Sequence, residues 1–228
     1  MKTFLTIGQY VLKIIIALMV PFILIIAGVR LLMTPLYPQI EYHMPYFPAD
    51  SFGFSLSDRL HWSAYAIDYL VNDAGINYLG DLKFSDGSPL FNERELSHMQ
   101  DVKNLVQTCL KIWLVCIVLL ILLAIWAWRG GWLNTLFRSA ISTGGWITVG
   151  LIFAMLLGVL LNFDVLFTDF HHLFFTGDSW LFYTSDTLIR LFPMTFWRDA
   201  FILVGSLNLL AGLALGWFLS KKPTRSLA

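Results

Sequence analysis

Apolar positions in this chain gather into four long runs, and the polar positions fall almost wholly between them. The first run, Val11 to Met33, is interrupted only by Lys13 near its start and Arg30 near its end. It is long enough to cross a hydrocarbon core of about 30 Å, and Pro21 predicts a kink within it. It is too long for the apolar centre of a signal peptide, and no small-x-small cleavage site follows, so it predicts an uncleaved helix. Three further spans are expected at Leu105 to Trp128, Ala140 to Phe163 and Phe201 to Ser220. The chain therefore divides into 1–33 (N-terminus and first span), 34–104 (a long outer segment), 105–128 (second span), 129–139 (a short loop), 140–163 (third span), 164–200 (a second outer segment), 201–220 (fourth span) and 221–228 (tail). The fold class this implies is an all-α membrane protein, four transmembrane helices with a mixed extracytoplasmic cap.

Composition agrees with that division. Of the 228 residues 57% are hydrophobic and 13% charged, against roughly a quarter charged in a soluble domain. The net charge is zero and no basic cluster occurs, which argues against nucleic acid as a partner. Arg129, Arg138, Lys221, Lys222 and Arg225 share one side with Lys2, and no acidic residue accompanies them. The positive-inside rule then puts both termini in the cytoplasm. All fifteen carboxylates fall on the other side, as do His43, His61, His98, His171 and His172. The spans hold no Asp, Glu or His, whereas pumps and channels need such groups at membrane depth. Lys111, near the outer end of its span, is placed to snorkel. No repeat relates the two halves, which weakens an inverted-repeat transporter reading. Cys109 and Cys116 are seven residues apart on one apolar run, a helical rise of about 10 Å that exceeds disulfide reach; they read as packing or lipid-facing residues.

The outer segments carry the candidate chemistry. Residues 34–48 are rich in aromatics and prolines, as in a loop lying at a membrane interface. Ser55 to Asp58 supplies capping residues for a short helix that Asn72 to Gly75 would end, and 78–84 suits a strand or a loop. Asn92, three residues before Glu95, forms a capping-box variant from which a helix runs unbroken into the second span. On it Glu95, His98 and Asp101 share a face, and a carboxylate beside an imidazole fixes its tautomer and raises its basicity. The competing reading is an ordinary solvated turn. The second outer segment sets His171 and His172 among Phe170, Phe174, Phe175 and Trp180, rings suited either to substrate confinement or to membrane anchoring. Both histidine blocks flank spans, so His98 and one of His171 and His172 are expected to meet, in a place suited to a lipid headgroup or glyceryl ester.

Nucleophiles are scarce outside the spans. No Cys lies there, no Gly-x-Ser-x-Gly elbow marks a serine, and Ser97 points about 100° away from the adjacent His98. His-Glu-x-x-His is absent, so a metal site is not expected. Acid/base catalysis by imidazoles remains, on a substrate that brings its own nucleophile.

The blocks FNERELSHMQDVK (91–103), FHHLFFTGDSWLF (170–182) and LFPMTFW (191–197) resemble the bacterial lipoprotein intramolecular transacylase family. The resemblance implies four helices beneath an extracytoplasmic cap in the cytoplasmic membrane. It also implies transfer of an acyl chain from the sn-2 ester of a lipoprotein's diacylglyceryl group to the amine of its N-terminal cysteine, leaving a lyso-form lipoprotein. The substrate partner would be a diacylglyceryl-modified lipoprotein, and no cofactor is expected. The family's two catalytic histidines carry over onto His98 and His171. His172 departs from the family pattern, which often has a carboxylate there. Glu95 and Asp101 would orient His98, and Phe170, Phe174, Phe175, Trp180 and Trp197 would confine the substrate. Arg190 and Arg198 would contact substrate or headgroups, or else pair with Asp186 and Asp199. The readings in competition are a lipid hydrolase or intermolecular acyltransferase, and a non-enzymatic membrane protein whose cap binds a partner.

Overall fold

The structure is a computed structural model that describes residues 6–220. Lys2 and the tail 221–228, on which part of the orientation argument leans, lie outside the described residues. Every regular element described is helical: α1 (Ile7–Leu32), α2 (Leu36–Glu41), α3 (Leu56–Val71), α4 (Asn77–Gly80), α5 (Glu93–Arg129), a π-helical turn (Leu133–Phe137), α6 (Arg138–Phe174), α7 (Thr187–Leu191) and α8 (Met194–Ser220). Four of these, α1, α5, the turn with α6, and α8, are long and apolar enough to cross a membrane. Helix α1 continues through Pro21. The chain forms two compact units, Met1–Gly28 with Lys111–Leu157 and Leu203–Ala228, and Val29–Leu110 with Gly158–Ile202.

The first unit is a bundle of apolar helices. Ile16, Val20, Leu136, Ala140 and Ile141 form its interior, while Leu119, Leu122 and Trp126 lie exposed, as lipid-facing residues do. Lipid is as apolar as leucine, so helices in it associate through close packing of small residues. That is the arrangement here: a Cβ on Gly145 would lie 2.6 Å from the backbone nitrogen of Gly216 and 2.7 Å from the carbonyl oxygen of Gly212. Hydroxyls and an indole satisfy carbonyls: Ser142 Oγ donates to Gly216 O, and Trp113 Nε1 to Ile23 O, each at 2.9 Å. Cys109 and Cys116 are free and half-buried.

The second unit is a helical cap around a core of Tyr37, Tyr42, Ala66, Tyr69, Leu79, Leu90, Phe91, Leu188, Leu191, Phe192 and Phe196, among others. The aromatics of 34–48 are not all interface anchors. Tyr37 and Tyr42 turn inward, donating from their hydroxyls to Phe196 O and Leu191 O, both at 2.8 Å, and so tie α2 to the ends of α7 and α8. Helix α3 opens on the Ser55–Asp58 capping box and closes at Asn72. At 78–84, where the sequence suits a strand or a loop, the segment holds the end of α4 and a turn, with one isolated bridge between Lys83 and Pro89. The reason lies in Tyr78, whose hydroxyl donates to Asp68 Oδ2 at 2.7 Å and whose ring packs on Tyr65 and Tyr69. A side chain anchored to α3 replaces a strand partner.

One break was hidden in the hydropathy. Within α6, Asn162 adopts φ −164° and ψ 97°, and its Oδ1 accepts the backbone N–H of Val165 at 3.2 Å. It thus stops one helix and caps the next, as asparagine does readily. The histidines at 171 and 172 stand on this second, short helix.

Candidate active site

His98 is held by the way α5 begins. Asn92 and Glu95 cap it reciprocally: Asn92 N–H donates to Glu95 Oε2 at 2.8 Å, and Glu95 N–H to Asn92 Oδ1 at 3.0 Å. The other carboxylate oxygen, Glu95 Oε1, accepts Leu188 N–H in the first turn of α7 at 2.6 Å. Thr187 Oγ1 donates to Leu90 O, and Asn92 Nδ2 to Asp186 Oδ1, closing the clamp between the two helix starts. Burial pushes the Glu95 carboxyl up to about 7, against the two backbone donors that pull it down.

This corrects one expectation. Glu95 serves the N-termini of two helices, whose first N–H groups lack intrahelical partners, and its bonds do not go to His98. Asp101 is exposed and lines an open groove of about 360 Å³ with Ile76, Glu93, Leu96, Ser97 and Gln100. Spacing by three put all three residues on one stripe, but a cap at N3 faces back to the helix start. Glu95 therefore positions His98 through the backbone.

The His98 ring is 8% exposed and sits among rings: Phe175 at 5.0 Å between centroids, Phe182 at 5.4 Å, both edge-on, and His171 at 6.1 Å, 27° from parallel. Its Nδ1 is buried and finds no hydrogen-bond partner among the described residues. Burial first, then the neighbouring His171, push its pKa down to about 4. The imidazole is neutral at neutral pH.

His171 faces it from the short helix that Asn162 starts. Its Nδ1 lies 2.8 Å from Phe167 O, one helical turn back. A carbonyl oxygen only accepts, so Nδ1 carries the hydrogen and Nε2 keeps the lone pair. Burial lowers the pKa of this ring, a trend the Phe167 bond opposes and His172 reinforces. Phe167 at 4.2 Å and Trp180 at 4.8 Å flank the ring, with Phe170 and Phe175 beyond.

The remaining candidates divide. Phe175 and Trp180 are buried against the histidines, and Phe170 is half-exposed beside His171. Phe174 packs on Phe170, and Trp197 on Phe167, each one ring removed from an imidazole. His172 is exposed, edge-on to Trp180. Arg190 pairs not with Asp186 but with Asp50, 3.0 Å away and 140 residues back, while it also lies over Phe54; it is a tie within the cap. Arg198 pairs with Asp199 at 2.9 Å. Phe167 and Phe182 were not singled out in the sequence, although Phe167 lies one turn before His171 and Phe182 inside the same block. Among the described residues no group of three His, Cys, Asp or Glu side chains gathers to hold a metal ion.

The fold and this pair define a polytopic helical membrane protein with two buried imidazoles walled by aromatic rings. A family model for the lipoprotein intramolecular transacylase Lit matches residues 12–197. The chain belongs to the lipoprotein intramolecular transacylase family. Its fold is similar to the structure of the membrane-integral lipoprotein intramolecular transacylase Lit from Bacillus cereus, with a TM-score of 0.64 at 19% identity over 96% of this chain and 99% of that one. A variant of the same Bacillus cereus protein with a histidine replaced by arginine matches with a TM-score of 0.67 at 18% identity, over 94% of this chain and 93% of that one. A protein of Aquifex aeolicus (strain VF5), described as uncharacterized, is 28% identical over 210 residues, 88% of this chain and 89% of its own length.

Proposed function

We propose that this protein moves the sn-2 acyl chain of a diacylglyceryl-modified lipoprotein to the α-amine of its N-terminal cysteine, with His171 as general base and His98 as its partner. The reading is supported above all by the state of His171. Its Nδ1 hydrogen is committed to Phe167 O, which leaves Nε2 as a free base, and the buried His98 ring lies 6.1 Å away. What packs on both imidazoles is Phe and Trp, so the attacking atom comes from the substrate.

The amine nitrogen attacks the ester carbonyl carbon and passes a proton to His171 Nε2. The carbonyl π electrons move to oxygen and then return, the bond from carbon to the glyceryl oxygen breaks, and His171 delivers the proton to that oxygen. His98, neutral, donates its N–H to the glyceryl oxygen as that bond lengthens. An α-amine titrates at about 8, and burial, which lowers the pKa of His171, keeps its Nε2 lone pair free to take the proton that the amine gives up. Acid/base help of this kind contributes about 10² to 10⁴ in rate, and holding amine and ester together supplies the larger share. The lysines and arginines of the short loop and tail favour cytoplasmic termini, with the histidine pair on the extracytoplasmic side.

Mass spectrometry tests this on a diacylglyceryl lipoprotein coexpressed in cells lacking the usual N-terminal acylating enzyme. Wild type is expected to acylate the amine with no change in total mass, and His98→Ala and His171→Ala to leave the amine free. A free amine with well-expressed wild type present would overturn the reading, and released fatty acid would turn it into a hydrolase.

A further inference from the structure

Trp180 carries a second buried nitrogen that the mechanism above does not use. The ring is 7% exposed and its Nε1 has no hydrogen-bond partner among the described residues. A tryptophan that anchors a protein at the membrane surface keeps its N–H at the wet headgroup level, and a buried one ordinarily finds an acceptor. Trp180 does neither, and its ring lies 4.8 Å from that of His171, 31° from parallel.

We infer that the Trp180 indole N–H is a catalytic donor to the oxyanion that forms when the amine attacks the ester, an inference that rests on the transacylase reading. As the tetrahedral carbon forms, the carbonyl π pair moves onto oxygen, and that oxygen needs a fixed donor until the pair returns and the glyceryl C–O bond breaks. His171 Nδ1 is committed to Phe167 and its Nε2 to the proton, so neither ring nitrogen of His171 is available for that oxygen. Trp180 supplies a neutral donor that needs no proton bookkeeping, beside the base and in an apolar setting where such a bond is strongest.

Its placement is fixed rather than adaptable. Gly177 takes φ 69°, in the left-handed region that glycine enters freely, and the following turn is closed by Leu181 N–H to Asp178 O at 3.1 Å. Arg94, from the first turn of α5, donates to Leu181 O at 3.1 Å. The helix that carries His98 therefore also holds the turn that carries Trp180. A donor set before the reaction costs no reorganisation during it.

The test is transfer kinetics with purified protein and a synthetic diacylglyceryl lipopeptide, comparing wild type, Trp180→Phe, and a protein with benzothienylalanine at 180, which keeps the shape of indole but replaces N–H by sulfur. Both variants are expected to lose about 10²-fold to 10³-fold in kcat, with KM within about threefold of wild type. They are expected to bind a phosphonate mimic of the tetrahedral centre more weakly by a similar factor. Wild-type kcat in the benzothienylalanine protein would overturn the proposal and leave Trp180 as packing. A loss that falls on KM alone would overturn it too. If wild type transfers no acyl chain to the amine, it is the transacylase reading that fails, a result separable from either.

Discussion

The two units solve opposite problems with the same helices. Among the described residues the bundle buries nothing charged: its interior is Ile16, Val20, Leu136, Ala140 and Ile141, and hydroxyls, the Trp113 indole and the Asn208 amide donate to backbone carbonyls. The cap buries Glu41, Arg59, Glu95, His98, Lys103 and His171 in a similar number of residues. In lipid a charge has no partner to spare, so specificity comes from backbones at glycine contacts. In the cap several buried polar groups fix another element: Lys103 Nζ donates to Asn72 Oδ1 and Ala74 O, Arg59 to Pro48 O, and Glu95 accepts from Leu188. The cap trades stability for position, which is what a site with two unpartnered nitrogens requires.

The largest effect on that contrast is expected at Glu95. Glu95→Ala leaves the buried N–H of Leu188 without its acceptor, at about 1–3 kcal/mol, and removes the capping bond to the more exposed N–H of Asn92. Both helix starts beside His98 then loosen. Thermal unfolding of the solubilised protein should shift down sharply and transfer should fall with it, whereas Glu95→Gln, which keeps one acceptor oxygen, should recover much of both. A Glu95→Ala protein with wild-type stability and rate would mean that the clamp does not set the site.

A smaller loss, of about 1–3 kcal/mol, is expected from the bundle's side of the comparison. Gly145→Val would press a side chain into the backbone of Gly212 and Gly216, and since backbone cannot swing away as a side chain does, the helices must part. Unfolding in mixed micelles would detect it. The kcat of whatever stays folded should stay near wild type, because none of the site's residues belongs to this unit. A selective loss of kcat would show that the bundle also shapes the site.

What the sequence made legible follows the same division. Hydropathy over twenty residues finds the four long runs and ends the third at Phe163, but it averages away single residues and so does not show Asn162 capping a further helix beyond the break. Capping boxes are local, so Asn92 with Glu95 and Ser55 with Asp58 could be read directly. The second acceptor role of Glu95, toward Leu188, spans 93 residues and the Arg190–Asp50 pair 140, and no local pattern announces either. The histidine pair was reachable because His171 sits in a dense aromatic block, His98 in the polar stretch that opens α5, and both stretches resemble blocks of a known family. The tautomer of His171 was not, because it depends on which carbonyl the ring meets.

The mildest effect is a pH dependence confined to the cap. Glu41 is 3% exposed, and neither its Oε1 nor Asp199 Oδ2 meets a donor among the described residues. Burial first, then the Asp199 carboxylate, push Glu41 up to about 7 from 4.5. A proton on Glu41 turns it into the donor that Asp199 lacks. The folded protein thus binds this proton more tightly than the unfolded chain does, so its contribution is full below pH 4.5 and is lost as pH rises through about 7. Glu95 acts in the same direction, so the wild-type midpoint should fall between pH 5 and 8. Glu41→Gln keeps the donor at every pH and should remove its share of that slope, a change on the order of a few degrees. Parallel midpoint curves for wild type and Glu41→Gln would take the slope away from Glu41 and leave it with Glu95, the other buried carboxyl of the cap that is raised to about 7.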